Sequence, residues 1–165
     1  MINSELNRNK IIKAFPKLNG DKSFKIVDKA SSNYNCIAWA ANVTTCWWQS
    51  LALDKRPTFG LDGVKYDWPF DVEDEFSIRV LVEIFTHLGY VVCEDGEYED
   101  GFKKVAFYAK DILATHAARQ LSTGKNKGIW SSKLGTSFLI YHGTPYNIEN
   151  ERYGNVVAFM KKTMR

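Results

Sequence analysis

The sequence is poor in cysteine, histidine and proline. Its three cysteines are Cys36, Cys46 and Cys93, its three histidines are His87, His116 and His142, and only four prolines interrupt 165 residues. An odd cysteine count without a C-x-x-C pair argues against a disulfide framework and against a cysteine-rich zinc site. It fits a reducing compartment, so the expected location is the cytoplasm, with export lacking a signal peptide as the alternative. No apolar run approaches the roughly 18 residues of a membrane span. The opening "MINSELNRNKIIKAF" has neither an apolar h-region nor a cleavage pattern. The net charge of +3 is scattered, and no Lys/Arg cluster forms a nucleic-acid footprint. Phosphate loops, dinucleotide fingerprints and HExxH are also missing, so no cofactor is expected. The acidic stretch "EDGEYEDG" lacks EF-hand spacing and reads as a solvated turn.

Apolar residues are plentiful. They make up 45% of the chain and aromatics 14%, enough for one well-filled core, and the expected organisation is a single domain over residues 1–165. Residues 4–15 read as a helix capped by Ser4 and stopped at Pro16. Residues 24–28, "FKIVD", alternate as a short strand. Residues 50–70 carry Pro57, Gly60, Gly63 and Pro69 and read as a long loop. The strongest helix is expected at 72–88, with Glu73, Asp74 and Glu75 in its first turn and Gly89 beyond its end. "YVVCE" then reads as a strand. After it, "KKVAFYAK", "ATHAARQLS", "GIWSSKLG" and "GNVVAFMKK" read as four strands of an antiparallel sheet. Helices first and sheet afterwards predict an α+β fold, N-terminal helices packed on a C-terminal antiparallel sheet.

One cysteine is unusually placed. In "SSNYNCIAWAANVTTCWW", residues 31–48, Cys36 stands between turn-forming residues and an apolar run. A helix starting near Asn35 or Cys36, and ending near Asn42 to Thr45, would set the sulfur beside unpaired N–H groups, which favour thiolate. A nucleophilic thiol also needs a base in reach. His87 falls on the polar side of the strong helix. His116 shares a strand face with Ala118 and Gln120, and small alanines beside it leave room for a packed helix. His142 precedes a Gly/Pro turn, as a third member, a second base or a surface group. Against this stands the ordinary role of a free cysteine, which is packing, and Cys46 and Cys93 read as core. A metal held by Cys36, His116 and His142 matches no structural zinc spacing. Trp47, Trp48 and Trp68 suit either a groove floor or the core. Arg119 and Lys133 could hold an anionic group, but they read by default as a solvated sheet face.

A helix-leading cysteine followed much later by a strand histidine resembles the order of papain-like cysteine hydrolases, including the NlpC/P60 and CHAP groups. "YNCIAWA" is similar to their cysteine-helix opening and "THAARQL" to their histidine strand. The set "NYNCIAWAA", "YDWP", "KVAFYA", "THAARQL", "WSSKLG" and "RYG" resembles an uncharacterised bacterial family of small proteins over roughly residues 33–160. The resemblance implies a papain-like fold, Cys36 as nucleophile and His116 as base. The histidine-orienting position falls on "GIWSSKLG", which offers Ser131 or Ser132 instead of the usual Asn, Asp or His; His142 or a loop acid is the substitute. Asn33 and Asn35 are oxyanion candidates beside the Cys36 N–H, and Trp68 is a candidate for substrate contact.

Two functions are therefore expected. One is a cysteine hydrolase or acyltransferase acting on a peptide or amide substrate through Cys36 and His116. The other is a non-enzymatic module that binds a protein partner, such as an immunity protein, a phage–host conflict factor or a degenerate hydrolase scaffold.

Overall fold

The computed structural model describes residues 1–49 and 66–164. Most of the expected loop at 50–70, with Pro57, Gly60 and Gly63, lies outside the described residues. The first helix, α1 (Glu5–Ala14), begins where Ser4 accepts a hydrogen bond from the Asn7 N–H, and Pro16 opens a short 3-10 turn, Pro16–Leu18. Strand β1 (Lys25–Asp28) follows, then α2 (Cys36–Ala40). Helix α2 is shorter than expected. Ala41 is its C-cap, and Asn42 turns left-handed at φ 65°, a conformation asparagine tolerates better than most residues.

Two short strands, β2 (Trp47–Trp48) and β3 (Tyr66–Asp67), pair in parallel. Helix α3 (Ile78–His87) then starts later than expected. Ser77 caps it, and Glu73, Asp74 and Glu75 precede it. The Arg79 guanidinium binds the Glu73 and Glu75 carboxylates, and Trp68 Nε1 donates to the Glu73 carbonyl, so this segment is held as an entry loop. Val80, Leu81, Ile84 and Phe85 form its buried stripe. Full burial of each such side chain contributes about 1.5–3 kcal/mol.

The remaining strands are β4 (Val91–Cys93), β5 (Phe102–Lys110), β6 (Leu113–Gln120), β7 (Trp130–Lys133), β8 (Leu139–His142) and β9 (Asn155–Thr163). Among the described residues they join β1 in a seven-stranded antiparallel sheet of order β1-β8-β7-β6-β5-β9-β4. The fold is α+β. The sheet exceeds the four strands expected of the C-terminal half, because "LIYH" forms β8, which recruits β1 to one edge.

Both faces of the sheet are covered, which is why several strands read as near-continuous apolar runs. On one face α2 and α3 pack over Val105, Phe107, Ala117 and Met160. On the other, Ile11 of α1 and Leu18 and Ile148 of the 3-10 turns pack over Ala106, Tyr108, Ala118, Trp130 and Ile140. Pairing between β6 and β7 covers only Arg119–Gln120 with Trp130–Ser131. Beyond that point no further ladder pair joins β6 to β7 among the described residues.

Candidate functional site

Asn35 sets the position of Cys36. Its Oδ1 accepts from the Ala38 N–H at 3.1 Å, capping α2, and from the Trp48 N–H at 3.1 Å, while its Nδ2 donates to the Trp48 carbonyl at 2.9 Å. This buried amide therefore joins the cysteine helix to β2 and fixes Cys36 as the first helical residue. The cap serves the Ala38 N–H and leaves the N–H groups of Cys36 and Ile37, which have no intrahelical acceptor, near the sulfur.

The Cys36 thiol is buried, yet it lines a pocket of about 620 Å³ with Trp47, Gln49, Phe76, Thr115 and Tyr153 among its other walls. Burial raises the thiol to about 11, opposed by the N–H groups of Ala117, Ile37 and Cys36 and by the Lys133 charge. The cysteine at rest is a neutral thiol.

His116 belongs to a different cluster. Its ring is fully buried, stacked on Tyr153 at a centroid distance of 4.3 Å and edge-on to Tyr108 at 5.1 Å. His116 Nε2 lies 3.0 Å from Ser132 Oγ, which lies 2.8 Å from His142 Nε2, and His142 Nδ1 lies 2.7 Å from the Thr144 carbonyl. The proton positions follow by elimination. A carbonyl only accepts, so His142 Nδ1 carries hydrogen and its Nε2 accepts. The Ser132 hydroxyl donates to that nitrogen and accepts from His116 Nε2–H. His116 Nδ1 is left with its lone pair. Among the described residues it is the one buried side-chain polar atom without a hydrogen-bond partner. Such an unmet acceptor costs about 1–3 kcal/mol. Burial, with His142 nearby, holds His116 well below its ordinary value, and burial holds His142 at about 4 despite its bond to Thr144 and the Asp21 charge.

Cys36 and His116 are neighbours through the backbone. The sulfur faces the Ala117 N–H, next in sequence to His116. Alternation along β6 sends the Ala117 side chain toward α2 and the His116 ring toward Tyr108 on the other face. No hydrogen bond joins the thiol to the imidazole among the described residues.

The other expected residues fall as follows. Ser132 is the hydroxyl that His116 and His142 share, whereas Ser131 points toward α2 and accepts from Trp39 Nε1 at 3.0 Å. Asn33 is exposed. Trp68 is half-buried against Phe76, and Trp47 is the tryptophan that lines the pocket. Trp48 and Cys46 are buried, but Cys93 is only half-buried at the β4 edge. His87 is exposed and stacked on Phe70. Lys133 is not on a solvated face. It is buried, donates to the Ser31 and Gly135 carbonyls at 2.6 and 2.5 Å, and is drawn down to about 8 by burial. Arg119 is half-buried, its guanidinium 3.9 Å from the Trp39 ring centroid. No group of three or more His, Cys, Asp or Glu is placed to hold a metal ion among the described residues.

Sequence reasoning missed Tyr153. Its signal was the "RYG" motif. Gly154, at φ 71°, sits where an added Cβ would overlap the Ala109 carbonyl, so only glycine lets the loop close on β5. That closure brings the Tyr153 ring over His116, where the Thr115 hydroxyl holds the Tyr153 carbonyl.

Residues 25–161 match the profile of DUF7689, a domain of unknown function. The chain belongs to this family. The matched span starts at β1 and ends within β9, so it contains Cys36, the histidine–serine cluster and Tyr153, and leaves α1 outside. No curated protein and no solved structure matches the chain.

Proposed function

We propose that this member of DUF7689 is a papain-like cysteine hydrolase or acyltransferase acting on a peptide or amide bond. The observation that carries the reading is the buried lone pair on His116 Nδ1, one residue from the N–H that faces the Cys36 sulfur. The unmet Nδ1 costs stability and serves no packing role, so a proton acceptor kept in reserve is its best physical account.

In this mechanism the thiol and imidazole rest neutral. When an acyl group enters the pocket, Cys36 attacks its carbonyl carbon and the thiol proton passes to His116 Nδ1. The Cys36 backbone N–H donates to the developing oxyanion. The imidazolium keeps its Nε2–H on Ser132 and then protonates the leaving amine. Water, activated by the same nitrogen, hydrolyses the thioester, or a second amine takes the acyl group. Ser132 supplies no negative charge, so the imidazolium is short-lived and the ion pair does not accumulate.

A second reading is a binding module without chemistry. A thiol at about 11 in a buried setting favours it, since catalytic thiols generally lie lower. The two separate on acylation. With p-nitrophenyl acetate at mildly alkaline pH, the hydrolase gives a burst of nitrophenolate and an acetyl group mapped to Cys36, both lost in Cys36→Ser and His116→Ala. Acetylation of Cys36 at the same rate in folded His116→Ala, or none in the parent protein, establishes the binding module instead.

A further inference from the structure

Two like-charged pairs stand on opposite faces of the same two strands, and the fold treats them differently. Lys104 and Lys161 are direct cross-strand partners on β5 and β9. Glu99 binds both, at 3.0 Å each, and Asp95 binds Lys104 at 3.3 Å. Lys103 and Lys162 are also direct partners, and like charges directly opposite repel. Among the described residues no carboxylate pairs with either. Arg119 adds a third charge. It sits opposite Val105, two residues along from Lys103, and so faces the same side. Its hydrogen bond is to the neutral Asn42 side chain at 2.8 Å, and burial lowers its proton affinity.

These three cations line one cleft of about 690 Å³, whose walls also carry Ser122, Thr123 and Tyr90. Helix α3 ends beside it. Gly89 has no Cβ, and one placed there would meet Lys162 Cε at 3.3 Å, so the lysine stem passes over the helix end. The helix C-terminus offsets about half a charge, far short of three.

We propose that this cleft is a binding site for a small phosphorylated ligand, its phosphate bridging Lys103, Lys162 and Arg119. A phosphate dianion does for this pair what Glu99 does for the pair on the opposite face. The hydroxyls of Ser122 and Thr123 supply neutral donors, and the volume suits a mononucleotide-sized molecule. The cleft lies apart from the Cys36 pocket, with which it shares no lining residue.

Isothermal titration of the full chain with inorganic pyrophosphate and with ADP, at physiological ionic strength, tests this. One saturable site is expected, with affinity reduced roughly tenfold or more in the Lys103→Gln/Lys162→Gln double variant. That variant is expected to melt no lower than the parent without ligand, because it removes a repulsive pair. Lys104→Gln is the control on the opposite face and is expected to leave binding unchanged. Absence of binding, equal binding by the double variant, or binding of a single-stranded oligonucleotide with neither small phosphate competing, overturns the proposal.

Discussion

His116 and His142 share one hydroxyl: Ser132 Oγ lies 3.0 Å from Nε2 of the first and 2.8 Å from Nε2 of the second. One hydroxyl has one proton, so it donates to one imidazole and accepts from the other. The pair is thereby locked into a single arrangement, anchored at the Thr144 carbonyl. Protonating His142 at Nε2 breaks the chain, whereas a proton on His116 Nδ1 leaves it intact.

Ser132→Ala leaves His116 Nε2–H and the His142 Nε2 lone pair buried and unpaired. A loss of about 2 kcal/mol in unfolding free energy is expected, read from denaturant midpoints. Acylation of Cys36 falls as well, since the His116 tautomer is no longer imposed. Ser132→Thr keeps the hydroxyl and is expected to restore acylation in part.

Acid destabilises the protein through these rings. Both are neutral when folded, and unfolded they take up protons near 6.5. Below that pH the unfolded chain binds more protons, so stability is present above about 6.5 and is lost as pH falls. For His142, depressed to about 4, the loss between those limits reaches about 3 kcal/mol. His116 acts in the same direction. His142→Gln flattens the profile of stability against pH; an unchanged slope refutes the assignment.

The Asn35 amide makes three hydrogen bonds that tie α2 to β2. Asn35→Ala is expected to cost roughly 2–3 kcal/mol. Asn35→Asp keeps the cap but sets a buried carboxylate oxygen against the Trp48 carbonyl, and its cost is at least as large. Proteolysis between α2 and β2 rises in the alanine variant, and protection equal to that of the parent chain excludes this coupling.

Titration of the Cys36 thiolate by its ultraviolet absorbance, in a chain whose other two cysteines are serine, is expected to centre near 11. Lys133, drawn down to about 8 by burial, is neutral at that pH, so Lys133→Met is expected to leave the midpoint near 11. A midpoint near neutrality contradicts the neutral-thiol mechanism and points to a resting ion pair.

Part of the site was legible in the chain. Cys36 at a helix start followed from turn residues meeting an apolar run, and Asn35 caps that helix as its residue type favours. Ser132 was one of two adjacent serines, and only the alternation of β7 selects it, sending Ser131 to Trp39 and Ser132 to His116. Lys133 was misplaced because a lysine in a polar motif reads as solvated, whereas two carbonyls hold its ammonium inside. Glu73 and Glu75 suggested a first helical turn, but their partner Arg79 holds them ahead of Ser77. Tyr153 carried no local signal beyond its glycine, because its contact with His116 depends on a loop closing across β5.

By itself the sequence determined the α+β class, the two longer helices and the Ser4 cap, since periodicity and capping depend on residues within a few positions of one another, while the Ser77 cap and strands β2, β3 and β8 went unforeseen. Tertiary structure alone decided that both sheet faces are covered, that β8 draws β1 to the edge, and that β6 pairs with β7 over only two residues. It also joined His116, Ser132 and His142, which are separated by 16 and 10 residues, into one chain of hydrogen bonds. Such contacts arise from strand pairing over long loops, and their register is set by the burial of whole faces, which no short stretch of residues specifies.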